Sequence, residues 1–241
     1  MSTYTVAFKK HREIANRTLA FHFEKPAGFT FKPGQAIDIT LPAANPAAGG
    51  DALLHTFSLV NAPFQDEIVI ATRMRDSAFK RALGQLAAGT TVKLEGPAGS
   101  LTLSGKSTRP AVFLAGGIGI TPFHSMLQQA AHDQSPRHLT LLYSNSSPEN
   151  AAFLEELEQL ARRNPNFHLM ATMTHMQGAT RPWHGETGMI DAAKIKQVCA
   201  GLTDPIFYLA GPPAMVESLS SELEDAGIDE DDVRSEEFFG Y

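Results

Sequence analysis

The feature that most constrains the fold is a change of sequence rhythm near residue 105. Before that point, short segments of alternating polar and apolar residues are separated by Gly and Pro, as is typical of antiparallel strands in a barrel or sandwich. After it, apolar runs such as AVFLA alternate with amphipathic stretches such as PFHSMLQQAA, which predicts a parallel sheet covered by helices. We therefore predict two domains, residues 1–104 and 110–241, joined by a linker at SGKSTRP (104–110).

Composition limits the classes of function. The chain has 241 residues and a formal net charge of -6, which suffices for two domains and argues against broad nucleic-acid binding. A single cysteine, Cys199, excludes a disulfide framework and any four-cysteine iron–sulfur or zinc site within these residues. The start, MSTYTVAFKK, lacks an apolar signal segment, and no apolar run approaches the ~20 residues of a membrane span, so a cytoplasmic location is expected.

A glycine-rich turn follows the predicted strand 111–115. Gly116, Gly117 and Gly119 lead into a helical pattern that opens at Thr121-Pro122. Glycines let the backbone approach a phosphate, and the unpaired N–H groups of a helix N-terminus attract one. The alternative interpretation is a strand–helix turn that needs glycine only for its backbone conformation.

This turn departs from the common dinucleotide fingerprint G-x-G-x-x-G, because Pro122 occupies the place of the third glycine. The next predicted strand, HLTLLY, is also not followed by an acidic residue until Glu149. A nucleotide is therefore not expected to bind by the usual dehydrogenase pattern.

A second group of candidates lies in HTFS, residues 55–58. On an extended strand His55 and Phe57 share one face, and Thr56 and Ser58 share the other. An aromatic ring beside a hydroxyl suits a flat heteroaromatic ligand, although an ordinary half-buried strand is equally consistent. Further along, TRMRDS (72–77) places two cations before a helix capped by Ser77, which suits a phosphate.

Together with GPAGSL, AGPPAMV and the final EEFFGY, these motifs resemble the ferredoxin–NADP reductase superfamily, in order and spacing over nearly the whole chain. The resemblance implies a flavin-binding antiparallel barrel followed by an α/β nucleotide domain with a Rossmann-like parallel sheet. It implies FAD, in preference to FMN, as cofactor and NAD(P)H as hydride donor to flavin N5. The electron acceptor is then a separate ferredoxin, flavodoxin or oxygenase component, since the cysteines of an iron–sulfur domain are missing.

The resemblance also implies site residues. Phe57 would stack on the flavin and Ser58 would hydrogen-bond near its N5, while a C-terminal aromatic ring, Phe238 or Tyr241, would cover the opposite face. The implied catalytic residues are Ser58, Glu236 and Phe238. The other flavin-binding candidates are His55, Thr56, Thr72, Arg73 and Ser77. The nucleotide-binding candidates are Gly116, Gly117, Gly119, Thr121, Pro122, Ser144, Asn145, Gly211, Pro212 and Met215. No metal site is predicted.

Several alternatives remain at this point. His55 stands where the family has Arg, which lends weight to a free-flavin or ferric reductase whose flavin leaves as a substrate. A non-catalytic electron-transfer subunit is a further alternative.

Two smaller expectations concern charged side chains. The stretches around Ser144 and Thr174-His175 contain no Arg, which favours NADH slightly, although Arg137 or Arg181 could fold over a 2′-phosphate. Lys80 and Arg81 form either a docking patch for the acceptor or a solvated helix face.

Overall fold

Two six-stranded sheets form the molecule. The computed structural model describes residues 2–42, 53–103 and 107–239, so the first part of the predicted linker lies outside the described residues. The first sheet is antiparallel with the order β4-β3-β6-β1-β2-β5. Its strands are β1 (Ser2–Ala15), β2 (Thr18–Glu24), β3 (Ala36–Leu41), β4 (Leu53–Ser58), β5 (Glu67–Arg73) and β6 (Thr91–Ala98).

Alternate side chains are buried along β6 and along β3 from Ile37, as period-two patterning requires, whereas β5 is buried at every position from Ile68 to Thr72. Phe21, Phe23, Ile37 and Ile39 are fully buried in one apolar cluster. A short helix, α1 (Ala78–Gly84), contributes to the same cluster through Phe79 and Leu83. Ser77 caps α1 as predicted, because its hydroxyl accepts a hydrogen bond from the main-chain N–H of Lys80.

The second sheet is parallel, with the order β10-β9-β8-β7-β11-β12. Its strands are β7 (Ala111–Gly116), β8 (Leu139–Asn145), β9 (Phe167–Met173), β10 (Glu186–Thr187), β11 (Ile206–Gly211) and β12 (Val233–Glu237). The connecting helices are α2 (Ile120–His132), α3 (Leu154–Arg163), α4 (Ala192–Cys199) and α5 (Pro213–Asp225). Every residue of β7 and β11 is buried, as expected for central strands of a parallel sheet covered on both faces. The predicted fold class is confirmed.

The apolar core continues across the junction of the two sheets. Val60, Val69 and Ala71 of the first half belong to the same buried cluster as Phe123 and Met126 of α2. The junction therefore excludes water, and groups from both halves can be held in fixed relation there.

Within the described residues, no helix combines the length and apolarity needed to cross a membrane. The same residues contain no group of three or more His, Cys, Asp or Glu side chains arranged to hold a metal ion.

Candidate functional site: two adjoining clefts between the sheets

The glycine-rich turn uses its three glycines for different purposes. A Cβ atom on Gly116 would lie 2.2 Å from the sulfur of Met215, and one on Gly119 would lie 2.2 Å from the carbonyl oxygen of Ala210. These two glycines therefore allow close packing of β7 and α2 against β11 and α5. Gly117 differs, because it has φ of +54° and a Cβ placed on it would meet nothing within 4 Å. The space in front of Gly117 is open to a ligand.

A first cleft, with a cavity of about 90 Å³, lies in front of this turn. The first half contributes Thr18, Arg73 and Arg75 to its lining, and the second half contributes the turn 116–119 and Asn150. A guanidinium nitrogen of Arg73 donates to the Asn150 side-chain oxygen over 3.2 Å, so Arg73 reaches across the junction. Two guanidinium groups facing an open glycine turn suit a phosphate-containing ligand.

A second cleft, with a cavity of about 230 Å³, brings the predicted flavin residues and the C-terminal segment together. Its lining comprises residues 55–58, Ala71, Thr121 and residues 236–239. Thr121 donates its hydroxyl proton to the carbonyl oxygen of Ile118, which fixes the side chain. Burial raises the pKa of the Glu236 carboxyl group above its ordinary value.

The Phe57 ring is more buried than is expected of a ring that stacks on a flavin. It is 3% exposed, and its ring centroid is 4.7 Å from that of His55 and 5.6 Å from that of Phe79. Phe57 lines the second cleft but contributes most of its surface to the barrel core. A flavin could stack broadly on Phe57 only if Phe79 or His55 moved, so this role stays a prediction.

The hydroxyls predicted to bind the flavin phosphates are engaged within the protein. Thr72 is fully buried and its hydroxyl donates to the carbonyl oxygen of Arg73 over 3.4 Å. The Ser77 hydroxyl accepts from the Lys80 N–H over 3.2 Å. Thr56, in contrast, is exposed and donates to Asp38 over 2.5 Å.

The docking role suggested for Lys80 is wrong, because this side chain is 3% exposed. Burial, followed by the positive charge of Arg75, lowers the Lys80 pKa to about 8. Arg81 is exposed and pairs with Asp76. Only Arg81 of this pair faces solvent.

The C-terminal segment is part of the second sheet. Strand β12 pairs in parallel with β11, placing Ala210 opposite Glu236 and Gly211 opposite Glu237. Phe238 then lines both the first and the second cleft. Phe238 therefore lies between the first cleft, which suits a phosphate, and the second cleft, which suits a flat ring. Tyr241, the other candidate for covering a flavin, lies outside the described residues.

A third pocket, with a cavity of about 380 Å³, lies beyond the end of β8. The predicted residues Ser144 and Asn145 end the strand and do not line this pocket, whereas His175 does. Ser146, Ser147 and Thr180 also line it and were missed. The two serines adjoin the predicted pair in sequence, but Thr180 arrives on a separate loop that no local signal connects to β8.

The Glu149 side chain makes several hydrogen bonds at this third pocket. Its carboxylate accepts from the N–H and hydroxyl of Thr180, at 2.6 and 2.9 Å, and from the N–H of Arg181 at 2.6 Å. Hydrogen bonds from the Ser147 hydroxyl and then from the Arg181 backbone lower the Glu149 pKa to about 2. The Arg181 side chain pairs with Glu155 instead. Arg137 is buried and donates to the carbonyl oxygen of Arg109, away from this pocket.

The chain is similar to several known reductases. A family model described as oxidoreductase NAD-binding domain matches residues 113–221. The chain is 28% identical over 231 residues to the toluate 1,2-dioxygenase electron transfer component of Pseudomonas putida, covering 93% of this chain and 64% of that protein. It is also 28% identical over 214 residues to ferredoxin–NADP reductase B of Sorangium cellulosum, covering 86% and 84%.

The fold is shared over the full length of a solved relative. A ferredoxin NADP⁺ reductase from Neisseria gonorrhoeae superposes with a TM-score of 0.81 and 22% identity, covering 98% of this chain and 99% of that one. The chain is thus similar in sequence and in fold to proteins of the ferredoxin–NADP reductase-like superfamily. This reductase-like chain spans 64%, 60% and 53% of the first three curated relatives it matches. The residues matched by the family model include the glycine turn and Met215.

Proposed function

We propose that the chain is an FAD-dependent reductase that takes a hydride from a nicotinamide nucleotide and passes electrons to a separate carrier. The observation that carries the proposal is the junction of the first and second clefts at Phe238. Groups suited to phosphates and groups suited to a flat ring system adjoin there, as hydride transfer between two nucleotide cofactors requires.

The chain's own residues have positioning roles in this scheme. FAD, when bound, supplies the two-electron acceptance and the stepwise release of electrons. The Ser58 and Thr121 hydroxyls border the second cleft from opposite halves of the molecule and can orient a ring held between them. Arg73, Arg75 and the open side of Gly117 would hold phosphate groups in the first cleft. Phe238 would keep water from the ring face until the nicotinamide takes its place.

The third pocket supports NADH as the preferred donor. If this pocket takes the adenosine end of the nucleotide, Glu149 places a carboxylate there that its donors hold ionised. A 2′-phosphate would face that negative charge, whereas a ribose with a free 2′-hydroxyl could donate to it. The side chains of Arg181 and Arg137 are engaged elsewhere.

An oxygenase component is the carrier that the relatives favour. Three of the proteins that the chain resembles are named as an electron transfer component of toluate 1,2-dioxygenase, a reductase subunit of glycine betaine monooxygenase and a reductase component of propane 2-monooxygenase. The single cysteine of this chain leaves no cluster of its own to relay electrons, so a carrier would have to approach the flavin directly or bring its own metal centre.

A second candidate function is favoured by the burial of Phe57. A ring that is 3% exposed offers little stacking area, and His55 is half-buried with a pKa lowered first by desolvation, so it is a weak phosphate ligand at neutral pH. Weak retention of flavin would suit a free-flavin reductase, in which reduced flavin leaves as product.

The test begins with the purified full chain and its absorbance spectrum. We expect about one FAD per chain, released on denaturation and identified by chromatography. Anaerobic titration with NADH and separately with NADPH then measures donor competence and preference. A colourless protein that reduces added flavin would support the second candidate function. A protein that neither binds nor reduces any flavin would refute both.

A further inference from the structure

Helix α2 makes direct hydrogen bonds to the segment that follows β4. The hydroxyl of Ser125 donates to the carbonyl oxygen of Asn61 over 2.7 Å, and Nδ1 of His124 lies 3.1 Å from the carbonyl oxygen of Val60. Ser125 and His124 are 0% and 3% exposed. These contacts connect the helix that begins at the glycine turn with the strand that ends at Ser58.

The segment that receives these bonds is itself held firmly. The N–H of Val60 donates to the carbonyl of Val69 over 2.9 Å. The Asn61 side chain donates to the carbonyl of Glu67 over 2.6 Å and accepts from the N–H of Val69 over 2.8 Å. The two carbonyls that face α2 are therefore presented by a rigid, buried turn. Removing a donor from α2 would leave a buried carbonyl without that partner.

The far side of the His124 ring is also engaged. Its Nε2 lies 3.2 Å from a carboxylate oxygen of Glu156, whose other oxygen accepts from Arg12 over 2.9 Å. The ring stacks on Phe153 at 4.3 Å between centroids. Both ring nitrogens therefore face an oxygen acceptor. His124 thus bridges α2, the β4–β5 turn, α3 and, through Glu156, β1.

We propose that His124 and Ser125 are positioning residues that set the nucleotide turn in register with the flavin strand. This interdomain latch, defined as His124 and Ser125 with the carbonyls of Val60 and Asn61, rests on the proposed function. Thr121 precedes His124 by one helical turn and Ser58 precedes Val60 by two residues, and both border the second cleft. A displacement of about 1 Å between hydride donor and acceptor can slow a reaction by about a hundredfold, so the latch acts on rate more than on binding.

The test uses three latch variants and one control on the same helix. Ser125→Ala removes the bond to Asn61, and His124→Leu removes both contacts of the imidazole. His124→Asn keeps a donor near the Nδ1 position and loses the contact with Glu156. Gln129→Ala is the control, because its side chain donates to the exposed Asp133 side chain and, among the described residues, makes no hydrogen bond to the β4–β5 turn.

Stopped-flow flavin reduction at saturating NADH provides the first readout, with urea unfolding to measure stability. We expect Ser125→Ala, which loses one hydrogen bond, to lower the limiting rate about tenfold, and His124→Leu, which loses two contacts, to lower it at least as much. The dissociation constants of flavin and nucleotide should change by less than about twofold, and His124→Asn should recover most of the rate. Rates that match those of Gln129→Ala, or that fall only with the folded fraction, would refute the latch.

Amide hydrogen exchange on flavin-free protein gives a readout that needs no cofactor. His124→Leu and Ser125→Ala should accelerate exchange of the Val60 and Val69 amides, and Gln129→Ala should leave it unchanged. Unchanged exchange in all three variants would count against the latch. If the wild-type protein neither binds nor reduces flavin, the proposed function is refuted. The hydrogen-exchange comparison would still show whether His124 and Ser125 hold the β4–β5 turn.

Discussion

The main-chain N–H of Phe238 donates to the carbonyl oxygen of Gly211 over 2.9 Å. This bond joins the C-terminal segment to the loop whose next residue, Pro212, lines the first cleft beside the glycine turn. The backbone of Phe238 is therefore fixed at the nucleotide site, while its side chain extends along the boundary between the two clefts. If the proposed function is right, entry of a nicotinamide ring would require a change of the Phe238 side chain more than movement of the backbone.

We predict that Phe238→Ala tightens nicotinamide nucleotide binding and slows its release without abolishing flavin binding. The phenyl ring and the nicotinamide compete for one face of the second cleft, so removing the ring removes the competitor. Discrimination between NADH and NADPH should relax as well. Equilibrium titration of flavin-loaded protein with NAD⁺ and NADP⁺, with stopped-flow release, measures this. Phe64→Ala is the control, since Phe64 is 44% exposed and lines neither the first nor the second cleft, and equal effects of both variants would contradict the assignment.

Ser58→Ala should slow flavin reduction by roughly tenfold while leaving flavin bound. The Ser58 hydroxyl lines the second cleft, and loss of one hydrogen bond of ~1–1.5 kcal/mol in the transition state corresponds to that change in rate. Single-turnover reduction by NADH under anaerobic conditions gives the rate. Ser221→Ala, on the exposed face of α5, is the matched control. Reduction of Ser58→Ala at the control rate would show that Ser58 is only a strand residue.

Glu149→Gln should narrow the preference for NADH over NADPH. The variant removes the carboxylate charge from the third pocket while keeping an oxygen that can accept from Thr180 and Arg181. We expect kcat/KM for NADPH to rise relative to that for NADH, through KM more than kcat. Glu158→Gln on α3 is a control that removes the same charge elsewhere. An unchanged ratio for Glu149→Gln would place the adenosine end outside this pocket.

Glu236→Gln should change how stability depends on pH. Burial raises the folded-state pKa of Glu236, so the protonated form is favoured in the folded protein. The folded state therefore loses stability as pH rises from about 4.3, the ordinary glutamate value, through the raised pKa. Thermal unfolding should show Glu236→Gln gaining stability over the wild type across that window and holding the gain at higher pH. Glu237→Gln, at the exposed neighbouring position, should not gain stability over the wild type in this way.

The sequence predicted the sheets because each half has its own hydrophobic period. Alternation marked the antiparallel strands, and the apolar runs of β7 and β11 marked the central parallel strands. Strand β12 was not predicted, since VRSEE has no buried alternation and is held by main-chain bonds to β11. Helix α3 begins only at Leu154, because Phe153 before it adopts φ of +60°.

The candidate site was predictable only where its residues are contiguous. The glycine turn and HTFS stand out in a one-dimensional pattern, and the structure places both at clefts. The burial of Phe57 depends on its contact with Phe79, which lies on a separate element, helix α1. Glu149 and Thr180 are likewise 31 residues apart in sequence, and they meet through the loop after β9, whose path the sequence does not specify. The candidate roles of the individual residues remain predictions.

The different surroundings of Gly116, Gly117 and Gly119 have a consequence for large-scale mutagenesis. Consider a saturation library scored separately for cellular abundance and for reductase activity. Substitutions at positions 116 and 119 should lower the abundance score. A new side chain there collides with Met215 or with the backbone at Ala210. Alanine at position 117 meets no steric clash, so its loss of abundance should be limited to the strain of a φ of +54°. Its loss of activity should be larger, because its methyl group enters the open space that would take a ligand. One apparently uniform glycine motif would thus separate into a folding signal and a binding signal.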